Sequence, residues 1–289
     1  MLALARRVDA VRGVSKVLQQ HWELIGKEMA MKDNRAKVFL GLVVACVLCG
    51  SAVGEDEPSS SWFESVIGEG KPSFGIDAAY NSKYVSRGVV LTDDPVFQPG
   101  SSVTYGYFKA SIWGNMDLTD VNDNENQFNE ADYTIDYTRP LNATVNLSAG
   151  GIYYDFPNTD LNGTAEVYTG IGLNTLLNPS LKAYFDVDES DGCYVSASVS
   201  HSEPIREKLS LEIAASLGWG SAKNNDFTFG VPQAGMTDLA VTVGFPISLG
   251  KLTVKPAATY AQAIDTKLRD AVGSDAGNVI WGVTASLPF

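Results

Sequence analysis

The stretch that decides the fold is Asn278–Phe289, NVIWGVTASLPF. Its residues Val279, Trp281, Val283, Ala285, Leu287 and Phe289 are apolar, while Ile280, Gly282, Thr284, Ser286 and Pro288 between them are mostly small or polar. A period of two belongs to a β-strand with one apolar face. A strand needs neighbours along both edges, and the rest of the chain reads as the sheet that this strand closes.

Eleven further segments alternate in the same way: Ser73–Tyr84, Val96–Tyr105, Tyr107–Leu118, Glu130–Thr138, Leu141–Tyr154, Thr164–Leu173, Leu181–Asp188, Cys193–Ser200, Leu209–Trp219, Thr237–Pro246 and Leu252–Tyr260. In Leu209–Trp219, for example, Leu209, Leu211, Ile213, Ala215, Leu217 and Trp219 oppose Ser210, Glu212, Ala214, Ser216 and Gly218. Pro256 interrupts one segment and predicts a bulge there.

Alternation alone fits a soluble sandwich equally well, with the apolar face turned inward. Two features favour a membrane. Aromatic residues on the apolar face (Tyr80, Tyr84, Tyr133, Tyr137, Tyr153, Trp219, Phe245, Tyr260, Trp281 and Phe289) lie mostly toward segment ends, where interfacial girdles sit. The connections also alternate in length. Short ones fall around Gly106, Arg139-Pro140, Leu176–Ser180, Glu203–Lys208 and Gly250-Lys251. Longer ones run over Val85–Pro95, Thr119–Asn129, Asp155–Gly163, Gly220–Met236 and Ala261–Gly277, with Glu189–Gly192 the weak case. Short periplasmic turns and longer outer loops are the asymmetry of membrane barrels. An unpaired backbone N–H or C=O in hydrocarbon costs several kcal/mol, so a spanning sheet must close. The fold class expected is therefore all-β: a single antiparallel, up-and-down transmembrane β-barrel of twelve strands over 73–289. The last strand, ending on Phe289, resembles the closing strand of bacterial outer-membrane barrels. That likeness implies outer-membrane lipid as surroundings and the barrel-assembly machinery as a partner that reads the terminal strand.

Composition agrees with this reading. Of 289 residues, 45% are hydrophobic and 19% charged, below the ~25% charged of typical soluble domains. The formal net charge is -13; eight of the 21 Lys/Arg and four of the 34 Asp/Glu precede Glu55, leaving 13 bases against 30 acids beyond it. Such a balance argues against nucleic acid, which demands a basic face. Of the three cysteines only Cys193 lies beyond residue 54, so no internal disulfide is expected. Two histidines, His21 and His201, give no zinc pattern, and neither a metal nor a cofactor is expected.

The N-terminal region reads as an export signal. Met31–Lys37 is a basic head, Val38–Leu48 (VFLGLVVACVL) an apolar run, and Gly50–Gly54 a small-residue end, so 31–54 is expected to be a cleaved signal peptide. The run is shorter than the ~20 residues of a membrane span. Val43-Val44-Ala45 before Cys46 offers a lipoprotein alternative, although the run continues past Cys46. Residues 1–30 precede a complete signal and read as an early start or an extension. Residues 55–72 read as a polar periplasmic linker with one apolar knot, Trp62-Phe63 and Val66-Ile67.

Four stretches carry a resemblance to a family: Asn81–Gly88 (NSKYVSRG), Trp113–Asp117 (WGNMD), Gly150–Pro157 (GGIYYDFP) and Glu166–Gly170 (EVYTG). On these, the chain resembles the TorF-type porin family of outer-membrane proteins. The likeness covers Ser73–Asp188 well and the remainder as pattern. It implies an outer-membrane barrel and a pore, and it supplies no catalytic residues.

The polar face carries the candidate site. Asp77, Asp117, Glu130, Asp132, Asp136, Glu166, Asp186, Asp188, Glu212 and Asp238 are expected to line the interior, opposed by Lys109, Lys182 and Lys255, with Arg87 as a further candidate. Two readings stay open. A wetted lumen with these carboxylates would pass small solutes or ions and favour cations. A packed polar core would pair acids with bases and leave no passage. Twelve strands lie between the filled eight-stranded barrels and the open 16-stranded porins. An enzymatic reading finds no support, because His201 has Ser200 and Ser202 beside it and Val199 and Glu203 two positions away. Adjacent residues point to opposite faces, so no His–Ser pair forms on one face. Asp120–Glu130 is acidic and Asn-rich but lacks EF-hand spacing, and reads as a solvated loop.

Overall fold

The computed structural model describes residues 67–273 and 277–289. The expected extension at 1–30, signal peptide at 31–54 and linker up to residue 66 lie outside them.

Twelve antiparallel strands form one closed sheet. In chain order they are β1 (Ser73–Asn81), β2 (Val96–Tyr105), β3 (Phe108–Asp117), β4 (Phe128–Pro140), β5 (Val145–Asp155), β6 (Thr164–Leu173), β7 (Ser180–Asp186), β8 (Cys193–Arg206), β9 (Leu209–Gly220), β10 (Gly235–Gly244), β11 (Leu252–Ala263) and β12 (Asn278–Pro288). Each pairs with its sequence neighbours, and β12 returns to β1 with Gly75 opposite Pro288 and Asn81 opposite Gly282. Phe289 N–H donates to Phe74 O at 2.8 Å. The decisive stretch of the sequence is thus the closing strand, and no barrel edge is left unpaired.

Alternation fixes the faces. On β6, Glu166 and Tyr168 are buried inside, while Val167 and Ile171 are 47% and 44% exposed. The same inversion holds on β12, where Val279 and Trp281 are 59% and 57% exposed on the outside. The apolar face therefore looks out and the polar face in, which suits hydrocarbon surroundings. No helix among the described residues is long and apolar enough to cross a membrane.

Connections at one end are short. At the β2–β3 turn, Gly106 has φ 57, and Tyr107 N–H donates to Ile67 O at 2.8 Å. A side chain at Gly106 would collide with that Ile67 carbonyl, so only glycine lets the incoming chain lie against the turn. The opposite end carries the long connections, two of which hold helices, α1 (Ala222–Phe229) and α2 (Thr266–Ala271). Ser221 caps α1, its side chain accepting from Asn224 N–H, and Gly230 ends it in the left-handed conformation.

Three expectations need correction. The bulge at Pro256 does not form: Gly244 faces Ala257 and, on the far side of the gap, Ile247 faces Val254 in the same register. Pro246 and Pro256 interrupt the ladder by lacking N–H donors, and the strand of Gly235–Gly244 simply resumes at Ile247–Leu249. The strand expected to end at Ser200 continues to Arg206. The third concerns the first segment, expected to run to Tyr84 with an outer loop behind it. It stops at Asn81, and Tyr84–Ser86 pairs with Val89–Thr92 in a hairpin that forms no ladder with the wall.

Candidate functional site

That hairpin turns into the barrel. Thr92 donates to the buried Asp117 at 2.8 Å, and Asn122 reaches the same carboxylate at 2.8 Å. Beneath it a polar chain runs along the inner wall, from Asn81 to Gln98 (2.8 Å), Gln98 to Asn115 (2.9 Å) and Asn115 to Asp117 (3.2 Å). The Tyr84 ring lies 5.6 Å from that of Trp113. The base of the hairpin is clasped by the Lys83–Asp93 ion pair and by Thr119 donating to Asp94 at 2.8 Å.

The tip crosses to the opposite wall. Arg87 places both terminal nitrogens on the two oxygens of Glu166, each at 2.7 Å. Its guanidinium also lies over the rings of Tyr194 (4.3 Å) and Tyr184 (5.3 Å). Glu166 accepts a further bond from Tyr154 Oη at 2.7 Å. Burial works against the charge on Arg87, but the Glu166 carboxylate outweighs it and holds the proton more tightly than usual. Glu130, Asp132 and Asp238 also lie within electrostatic reach of this cation. The turn that aims Arg87 is tight: φ is 47 at Arg87 and 84 at Gly88. A Cβ on Gly88 would sit 2.9 Å from that of Asp238. The neighbouring Val89 joins a small apolar cluster with Phe229 of α1, Ala263 of β11 and Leu268 of α2, so the two helices and the hairpin cover one mouth together.

The remaining expected residues are spread along the inner wall. Asp186 accepts from Thr164 at 2.7 Å and from the backbone of Ser190, and Asp188, beyond the end of β7, donates its N–H to Asp186. Lower on the same wall, Asp136 accepts from Tyr168 at 2.5 Å and faces Lys109 across the ladder, and Lys182 Nζ lies 4.7 Å over the Tyr168 ring. Lys255 pairs with Glu212 at 3.0 Å. Asp77 lies on the inner wall beside Gly100, and Asp238 accepts from Thr237 at 2.6 Å and Tyr194 at 3.1 Å.

Among the aromatics, Tyr80 and Trp281 face outward in contact, 5.8 Å apart. Trp219, Phe245, Tyr260 and Phe289 are exposed outside, and Tyr137 packs against Phe108 at 4.9 Å. Tyr133 and Tyr153 point outward but are 0% and 3% exposed. Connections fold over them: Asn158 donates to Phe128 O at 2.9 Å, and a side chain at Gly163 would strike the Tyr153 hydroxyl. Tyr84, expected on the outer face, lies inside. His201 sits on β8, with Nδ1 2.8 Å from Leu176 O and Nε2 3.4 Å from Glu203, and no hydroxyl is among these partners. Among the described residues no group of acids, histidines and cysteines is placed to hold a metal.

A closed antiparallel sheet with an oily outside and a charged inside defines a transmembrane β-barrel. No family model matches the chain and no curated protein does. Among solved structures it is similar to the KdgM porin (12% identity, 74% of this chain, 99% of that one, TM-score 0.48). It is similar also to the NanC porin (12%, 73% and 98%, 0.47) and to the COG4313 outer membrane channel of Pseudomonas putida F1 (11%, 81% and 100%, 0.46).

Proposed function

We propose that the protein is an outer-membrane channel for passive diffusion of small hydrophilic solutes or ions, with a preference for cations. The observation that carries this reading is the inward row of carboxylates facing Arg87 across the barrel. Packing in a soluble protein would turn the oily side chains inward; here the charged ones are inside, held by Arg87 and by hydroxyl donors of the hairpin and wall. The mechanism is diffusion past a charged constriction. The constriction is the hairpin tip, and ions pass between Arg87 and the remaining wall. The resemblance to TorF-type porins and the names of the similar structures agree with this reading. The outward aromatics form the interfacial girdle, and the closing strand β12 is the segment that the assembly machinery reads.

A second reading has its own observation. Arg87 spans the lumen and α1, α2 and Val89 pack over one mouth, which suits a closed barrel acting through its outer connections. Reconstitution into a planar bilayer decides between them. The channel reading expects discrete current steps and, in a KCl gradient, a reversal potential of cation sign. Anion preference overturns the selectivity; absence of current in the purified, folded barrel overturns the channel and leaves the closed barrel. A lipid hydrolase stands furthest off, since the His201 partners are a carbonyl and a carboxylate.

A further inference from the structure

Around Arg87 the barrel wall has the build of a receptor for a guanidinium ion. The carboxylate of Glu166 takes both ends of the planar fork at 2.7 Å, and the rings of Tyr194 and Tyr184 flank the group at 4.3 and 5.3 Å. A bidentate carboxylate with an aromatic face selects guanidinium over ammonium, which is a point donor and cannot fill both oxygens while stacking. The walls of the cage stand without Arg87. Glu166 is oriented by Tyr154, and Tyr194 is held by Asp238, which Thr237 fixes in turn. All five sit on barrel strands β5, β6, β8 and β10, whereas the hairpin carrying Arg87 has no ladder to the wall. The Arg87 side chain can therefore leave the site without disturbing the strands that form it.

We propose that this cage binds guanidinium-bearing solutes, arginine-like cations among them, and that Arg87 is a tethered competitor occupying it at rest. The proposal rests on the channel reading for the solute's route of arrival, not for the cage itself.

The test uses Arg87→Gly, because glycine accepts the φ of 47 at that position. The folded, detergent-purified barrel is titrated calorimetrically with guanidinium chloride and with L-argininamide at constant ionic strength. Tetramethylammonium chloride serves as control. R87G should show saturable binding of both guanidinium compounds, at least roughly ten-fold tighter than the wild type, and R87G/E166Q should lose roughly ten-fold or more of it. Equal binding by wild type and R87G, binding indifferent to E166Q, or binding of tetramethylammonium equally well overturns the proposal. Should R87G not fold, Arg87→Lys supplies the answer: a tethered ammonium yields the cage more readily, so binding must exceed wild type, and equality overturns. Bilayer recordings on the same variants separate the two readings. Binding without current removes the channel and keeps the cage; current without guanidinium binding removes the cage and keeps the channel.

Discussion

At the scale of single residues, Arg87 and Gly88 decide what the interior is. The bidentate bond to Glu166 holds the tip only because Gly88 lets the turn approach Asp238. Gly88→Val therefore has a defined outcome. Its φ of 84 is strained for any side chain, and a Cβ there lies 2.9 Å from Asp238 Cβ, so the tip is pushed off the wall. Gly88 belongs to no barrel ladder, and the unfolding midpoint of the barrel should move little. Single-channel conductance should rise as the constriction widens, and unchanged conductance would show that the hairpin does not limit passage. Much of this was hidden in the sequence. The acids on the polar face were legible by parity, Glu166, Asp186 and Asp238 among them. The fate of Arg87 was not, because Tyr84–Ser86 and Val89–Thr92 are too short to show a period, and Val89-Val90-Leu91 reads as a loop. Parity assigns a face but not a cover, so it also missed the connections that bury Tyr133 and Tyr153.

At the scale of elements, what alternation specifies well is face. Strand ends are specified less well: the ladder with Leu209–Ile213 carried β8 on to Arg206 although Glu203-Pro204-Ile205-Arg206 breaks the pattern. Neighbouring positions on β12 supply a test of face. Val283 lies outward, 39% exposed, opposite Tyr80, and Thr284 points inward opposite Ala79. An Arg on the lipid side of a barrel costs about 2–4 kcal/mol near the midplane, while lumen positions tolerate charge. Val283→Arg should therefore refold poorly into lipid vesicles, read as loss of the heat-modifiable folded band. Thr284→Arg should refold like the wild type and shift ion preference toward anions. If both refold alike, β12 does not face lipid as described. The pair at Pro246 and Pro256 needs no such correction in register, because two missing N–H donors weaken a ladder without sliding it.

At the scale of the whole molecule, the channel reading gives charge and shape separable contributions to passage. The inward carboxylates outnumber the cations that meet them, and the hairpin tip narrows the lumen whatever its charge. Ionic strength distinguishes the two. The Debye length is about 10 Å at 0.1 M and about 3 Å at 1 M, so fixed charges reach across a narrow lumen in dilute salt and no longer do so in concentrated salt. Cation preference, measured as reversal potential at a constant ten-fold KCl ratio, should therefore shrink toward zero as both sides are raised toward molar salt. Exclusion of neutral sugars by size, measured by swelling of proteoliposomes, should stay constant over the same range. Arg87→Gln should strengthen the preference at low salt, because it removes the cation within reach of Glu130, Asp132, Glu166 and Asp238. A preference indifferent to salt would exclude the general field of the lumen as its origin. The two contributions predict different concentration dependence: the field fades with screening, whereas exclusion by size at the hairpin tip does not.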